Sequence, residues 1–158
     1  MLYGTAPNDG KFGGGTVFKL TPPSTQGNPW TETTLHSFGA FFDASAPSRG
    51  SLILDENGNP YGASAGGNNL VGAIYQLNLE TWQEKVLYSF AGGTDAQFPV
   101  GLTGINGSYI GAARSGGTFG DGAIFKLSPP AEPGGNWVEI VILASQAVTM
   151  VGRRGLLP

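Results

Sequence analysis

The line GTVFKL at Gly15 returns as GAIYQL at Gly72 and again as GAIFKL at Gly122. A line written three times in one short chain restricts the fold to a set of equal units leaning on one another. Two further lines travel with it. LYGTA at Leu2–Ala6, PYGAS at Pro60–Ser64 and YIGAA at Tyr109–Ala113 come before it; WTETTLHSF from Trp30, WQEKVLYSF from Trp82 and WVEIVILAS from Trp137 come after. Copies of the second line lie 57 and 50 residues apart, and copies of the third 52 and 55. Fixed lines with elastic gaps are strands joined by loops of variable length.

Each line alternates with a period of two, which predicts strands and leaves no room for the three-and-four spacing of a helix. One face of the second line reads small, aromatic, leucine: Thr16, Phe18, Leu20; Ala73, Tyr75, Leu77; Ala123, Phe125, Leu127. Val17, Ile74 and Ile124 stand on the other. The third line is predicted to put Glu32, Glu84 and Glu139 on the face that continues through His36 and Phe38, or Tyr88 and Phe90, with Leu35, Leu87 and Ile142 opposite. A fourth line, GSLILD at Gly50–Asp55 and VGLTGI at Val100–Ile105, runs through Asn-Gly steps into the first. Asn-Gly is the strongest short-range hairpin signal. The middle unit is thus expected to hold strands over Gly50–Asp55, Pro60–Ala65, Gly72–Asn78 and Trp82–Phe90.

A four-stranded meander at this period is a propeller blade. The expected fold is all-β: an incomplete β-propeller of about two and three-quarter four-stranded antiparallel blades. A β-sandwich is the structural alternative. Residues 1–145 form the repeat segment, with a partial blade at 1–46 and blades at 47–95 and 96–145; residues 146–158 are expected to be a divergent, poorly ordered tail. The chain opens at the first of the three shared lines with no fourth-line strand before Leu2, so it is expected to be a fragment of a longer reading frame or a short protein that closes a ring with its own copies.

Composition narrows the partners. Charged residues make up 12% and the net charge is −3, which argues against nucleic acid and anionic membranes. With no cysteine, disulfides and thiolate metal sites are excluded. Residues 1–12 have neither a basic start nor an apolar run, so no signal peptide is expected there. The apolar stretch Ile140–Ala144 is far too short to span a bilayer.

LYGTA, GTVFKLTPP, TETTLHSF and DENGNPYGAS together resemble the GloVer-type tandem repeat of bacterial secreted and surface-anchored proteins, over roughly residues 2–145. The resemblance implies a propeller, an extracellular or cell-envelope location and no established catalytic residue. After Ser145 the sequence QAVTMVGRRGLLP departs from it.

No catalytic, cofactor or metal residue is assigned, and the ligand is unknown. Asp55–Asn59 has the oxygen density of a calcium loop, but proline replaces the glycine wanted at its sixth position, so a hairpin turn is expected. His36 is the sole histidine, and Tyr88 and Leu143 take its place in the other units, which marks a packing position. Glu32, Glu84 and Glu139 are expected to be edge charges that discourage sheet association. The loops APNDGKFGG, SAGGNNLV and ARSGGTFGD, with Phe12, Arg114 and Phe119, are the candidate ligand contacts, for a carbohydrate or protein. The leading expectation is a non-enzymatic scaffold or binding surface. The alternative is part of a propeller enzyme acting on polysaccharide or lactone with its active site in other blades.

Overall fold

The computed structural model describes residues 1–39, 43–47 and 52–146. Within them the chain is all-β, with eleven strands in three antiparallel sheets. The first holds β1 (Leu2–Ala6), β2 (Thr16–Thr21) and β3 (Thr31–Ser37). The second holds β4 (Ile53–Leu54), β5 (Pro60–Ser64), β6 (Ala73–Leu77) and β7 (Glu84–Ser89). The third holds β8 (Ala96–Ile105), β9 (Ser108–Gly116), β10 (Ala123–Ser128) and β11 (Val138–Ala144). Each is a meander whose sequence neighbours pair, as blades of a propeller do. The sheets pack in series, one junction after another, so the sandwich is not formed. The expected strands of the middle unit appear, trimmed at their ends; Gly50 and the tail beyond 146 lie outside the described residues.

The two faces of the second line go to different neighbours. Ala73, Tyr75 and Leu77 of β6 are buried with Val17 and Phe38 of the first unit, while Ile74 is buried with Ala123, Phe125 and Leu127 of β10. The middle sheet therefore spends both faces, and the alternation read from sequence decides which sheet each residue meets. Ring contacts repeat at the two junctions. Phe38 meets Tyr75 edge-on at 5.1 Å and 68°, and Phe90 meets Phe125 at 5.1 Å and 73°. Edge-to-face pairs of this kind add to the stabilisation from area alone.

Glycine makes room for those rings. A Cβ on Gly4 would stand 2.6 Å from the Phe18 ring, and Cβ atoms on Gly62 and Gly111 would collide with the tips of the Tyr75 and Phe125 rings. The glycine of LYGTA, PYGAS and YIGAA is thus the floor on which the next strand's aromatic lies.

One expectation about the third line is corrected. Its pairing with the second slips by a residue at the same place in all three sheets: Val17/Phe18, Ile74/Tyr75 and Ile124/Phe125. A bulge breaks the two-face alternation. Leu35 and Leu87, expected opposite Phe38 and Phe90, pack against the same buried clusters as those rings.

Candidate functional site

One set of the polar residues that recur sits where one sheet meets the next. Asp43-Ala44 through Pro47 and Asp95-Ala96 through Pro99 form a line that the sequence reading missed, 52 residues apart. Its contacts are the same twice. The Asp43 carboxylate accepts from Gly39 N–H at 2.9 Å, and that of Asp95 from Ala91 N–H at 2.6 Å. Their carbonyls accept from Gly67 and Gly117 N–H at 3.0 and 3.1 Å. Ala46 and Phe98, both at φ 51, donate to the Gly14 and Val71 carbonyls across the junction, each at 2.6 Å. Pro47 and Pro99 then close on Gly15 and Gly72, which are held at φ 101 and 121, a region that a Cβ would strain.

Glu84 and Glu139 of the third line belong to this lock, which corrects their reading as edge charges, whereas Glu32 stands exposed on the edge strand β3. Glu84 Oε1 accepts from Ala44 N–H at 2.8 Å, and its side chain keeps 10% exposure. Such a carboxylate ties two sheets by satisfying a backbone donor that has left water. His36 joins it: Nδ1 lies 3.0 Å from the Trp82 carbonyl, which only accepts, so that nitrogen holds a proton. Nε2 lies 3.6 Å from Glu84 Oε2, an ion pair when the ring is doubly protonated. Among the described residues, His36, Asp43 and Glu84 are the group with ligand atoms close enough to hold a metal ion, within 4.8 Å of one another. The equivalent place at the next junction holds Tyr88, Asp95 and Glu139, with the Tyr88 hydroxyl donating to Asp95 at 3.3 Å. Tyrosine takes the histidine's place beside the paired carboxylates there, without its bond to the next sheet.

The carboxyl of Glu139 is pushed up to about 7, first by burial and then by the Asp95 carboxylate, to which it donates when protonated. A folded-state value above the unfolded one means that the folded state binds the extra proton. This contribution is complete below the ordinary glutamate value of 4.5 and is lost as pH rises through about 7. The melting temperature is therefore expected to fall between about pH 5 and pH 8, and Glu139→Gln should flatten that slope. An unchanged slope in the variant would remove Glu139 from the account.

Asp55 behaves in the opposite sense. Burial alone would raise it, but hydrogen bonds from the Asn59 side chain and backbone, from Tyr61 and from Asn57 N–H hold it below the usual value. Oδ1 accepts from Asn57 and Asn59 N–H at 2.9 and 2.8 Å, and Oδ2 from Asn59 Nδ2 and the Tyr61 hydroxyl at 3.0 and 3.1 Å. Its oxygens are consumed in shaping the hairpin, as expected. The cleft beside it, of about 560 Å³, is walled by Tyr61, Tyr109 and Trp137; Tyr61 meets Tyr109 tilted at 4.8 Å, and Tyr109 stacks on Trp137 at 5.6 Å.

The candidate loops turn alike. Gly15, Gly72 and Gly122 N–H donate to the carbonyls of Asp9, Gly66 and Gly116 at 2.7, 3.0 and 3.2 Å. The three residues singled out within them are not brought together. Phe12 borders the depression beside His36 and Glu84, Phe119 stands 53% exposed, and Arg114 lines a different cavity.

That cavity, of about 550 Å³, is the place where all three units meet. Pro7 and Asn8 follow β1, Ala46 and Pro47 precede β4, Ala65 follows β5, and Phe98 and Arg114 come from β8 and β9. The pairs Gln97↔Ser115 and Pro99↔Ala113 flank Phe98 and Arg114, making them cross-strand neighbours. Arg114 is the single charge in the lining. Among the described residues the side chains of Asn8 and Arg114 have no hydrogen-bond or ion-pair partner.

A family model described as the Gloeobacter/Verrucomicrobia repeat matches residues 1–146. No curated protein and no solved structure matches the chain.

Proposed function

We propose, given that this chain belongs to the Gloeobacter/Verrucomicrobia repeat family, that it is a non-enzymatic β-propeller segment outside the cell or in the cell envelope, whose open faces take further units of the same repeat and whose inter-sheet cavity is a carbohydrate-binding surface. The main support is a division of labour. The polar residues that the repeat keeps (Asp43 and Asp95, Glu84 and Glu139) are committed to joining sheets, along with His36. Residues that break the repeat gather in the three-unit cavity: Arg114 stands where the other units have Pro7 and Ala65, and Phe98 where the preceding unit has Ala46.

Further units of the repeat suit the open faces because of one ring. Tyr75 and Phe125 are fully enclosed, whereas Phe18, on the same kind of glycine floor, is half-buried. The enclosing ring comes from a neighbouring unit's Phe38 or Phe90. A second copy of this chain would offer Ser145 at that place, which cannot cover a phenyl face. The extracellular setting is drawn from the resemblance of the repeat lines.

The whole chain on an array of neutral and acidic glycans is expected to retain a subset, recovered chemically unaltered by mass spectrometry. Retention of none, or glycan cleavage or lactone opening abolished by His36→Gln, would overturn the proposal.

A further inference from the structure

We infer that the three-unit cavity recognises the carboxylate of an acidic sugar, with Arg114 as the carboxylate clamp, Asn8 as a second polar contact and Phe98 as an apolar face; this rests on the carbohydrate-binding reading above. Its size, about 550 Å³, falls within the roughly 300–1,000 Å³ of small-ligand sites. Its lining has the composition such sites show, mostly apolar with a few polar groups. Pro7, Pro47 and Pro99 supply stiff walls, and Phe98 supplies an aromatic ring 36% exposed.

A cation unpaired among the described residues separates this cavity from the two that border Asp55 and His36. Around Asp55 the carboxylate, the Tyr61 hydroxyl and the Gln76 amide already satisfy one another. Beside His36 the polar groups hold two sheets together. In this cavity Asn8 and Arg114 keep their donors unspent on described residues, and neither the cleft beside Asp55 nor the depression beside His36 is lined by an arginine or lysine. A guanidinium offers a planar fork that fits a carboxylate with two parallel hydrogen bonds, and the sugar's hydroxyls can use the Asn8 amide. The ring of a sugar, apolar on one face, suits Phe98. One cation in the lining, on a chain of net charge −3, suits a monoanion better than a phosphate dianion.

Backbone geometry fixes the clamp. Phe98 is pinned by its N–H to the Val71 carbonyl at 2.6 Å. Arg114 belongs to β9 between the paired residues Ala113 and Ser115. Both are therefore presented from a sheet and not from a free loop tip, which lowers the entropy lost on binding.

The test is isothermal titration of the whole chain with a galacturonate oligomer, its methyl ester, the neutral galactose oligomer of equal length and a sugar phosphate. The acidic oligomer is expected to bind at least about tenfold more tightly than its ester, because a hydrogen bond to a charged group is worth about one decade or more. Arg114→Gln should remove that preference, and Arg114→Lys should restore only part of it. Arg114 is exposed, so both variants should keep the parent circular dichroism spectrum and melting temperature. Equal binding of acid and ester, tighter binding of the phosphate, or an Arg114→Gln variant with its preference intact would overturn the inference while leaving carbohydrate binding in place. Failure of every sugar to bind would overturn both.

Discussion

Phe90→Ala is expected to destabilise the fold by about 3–5 kcal/mol, the usual cost of emptying a fully buried phenylalanine site. Phe90 has no solvent exposure. It contacts Tyr88 edge-on at 5.2 Å within its own unit and Phe125 across the junction at 5.1 Å. Removing the ring uncovers Phe125, and backbone locks on both sides hold the space open: Phe90 N–H donates to the Gly72 carbonyl at 3.0 Å, and Ala91 N–H to Asp95. Little collapse is possible, so the cost belongs near the upper part of the range. For a chain of this length the midpoint should fall by roughly 6–20 °C. Phe12→Ala, at a ring 61% exposed, should stay within about 0.5 kcal/mol. Chemical denaturation of both variants checks the pair, and a Phe90→Ala protein as stable as Phe12→Ala would remove the junction ring from the account.

Gly111→Ala is the second large effect, expected to cost about 2–3 kcal/mol although it adds one methyl group. The new Cβ would collide with the tip of the Phe125 ring. That ring is fully buried, with Phe90 against it, so it cannot yield without opening the junction. The same substitution at Gly4 meets Phe18 at 2.6 Å, but Phe18 is half-buried and can swing aside. Gly4→Ala should therefore cost clearly less. Combining Gly111→Ala with Phe125→Ala should cost less than the two separately, because the second change removes what the first collides with. Additive costs, or a Gly4→Ala as damaging as Gly111→Ala, would show that the glycine is not a floor for the ring.

Much of this architecture is legible along the chain because its signals are local. Period-two alternation in Ala73–Leu77 and its copies names the strands and even their two faces, and Asn57-Gly58 and Asn106-Gly107 mark the hairpins. What escaped lies between units. The Asp-Ala…Pro line recurs at 43 and 95, but its residues act through carbonyls and amides of the neighbouring sheet, and no periodicity within a strand encodes that. Glu84 and Glu139 looked like edge charges for the same reason: a glutamate on a strand carries no mark that a backbone N–H from another unit will meet it. The bulge at Val17, Ile74 and Ile124 escaped because one inserted residue leaves a hydrophobic line hydrophobic. Arg114 was visible as a candidate contact in its loop, whereas its place opposite Phe98 required the pairing of β8 with β9.

The central claim is that successive sheets meet through the same ring-on-ring junction. Nuclear Overhauser spectroscopy on the chain with labelled aromatic residues tests it most directly. Cross-peaks between Phe38 and Tyr75 rings and between Phe90 and Phe125 rings are predicted together, with neither Phe38 nor Phe90 giving the matching cross-peak to Phe18. Absence of either predicted cross-peak in the folded protein, or Phe18 found against Phe38 or Phe90, would contradict it.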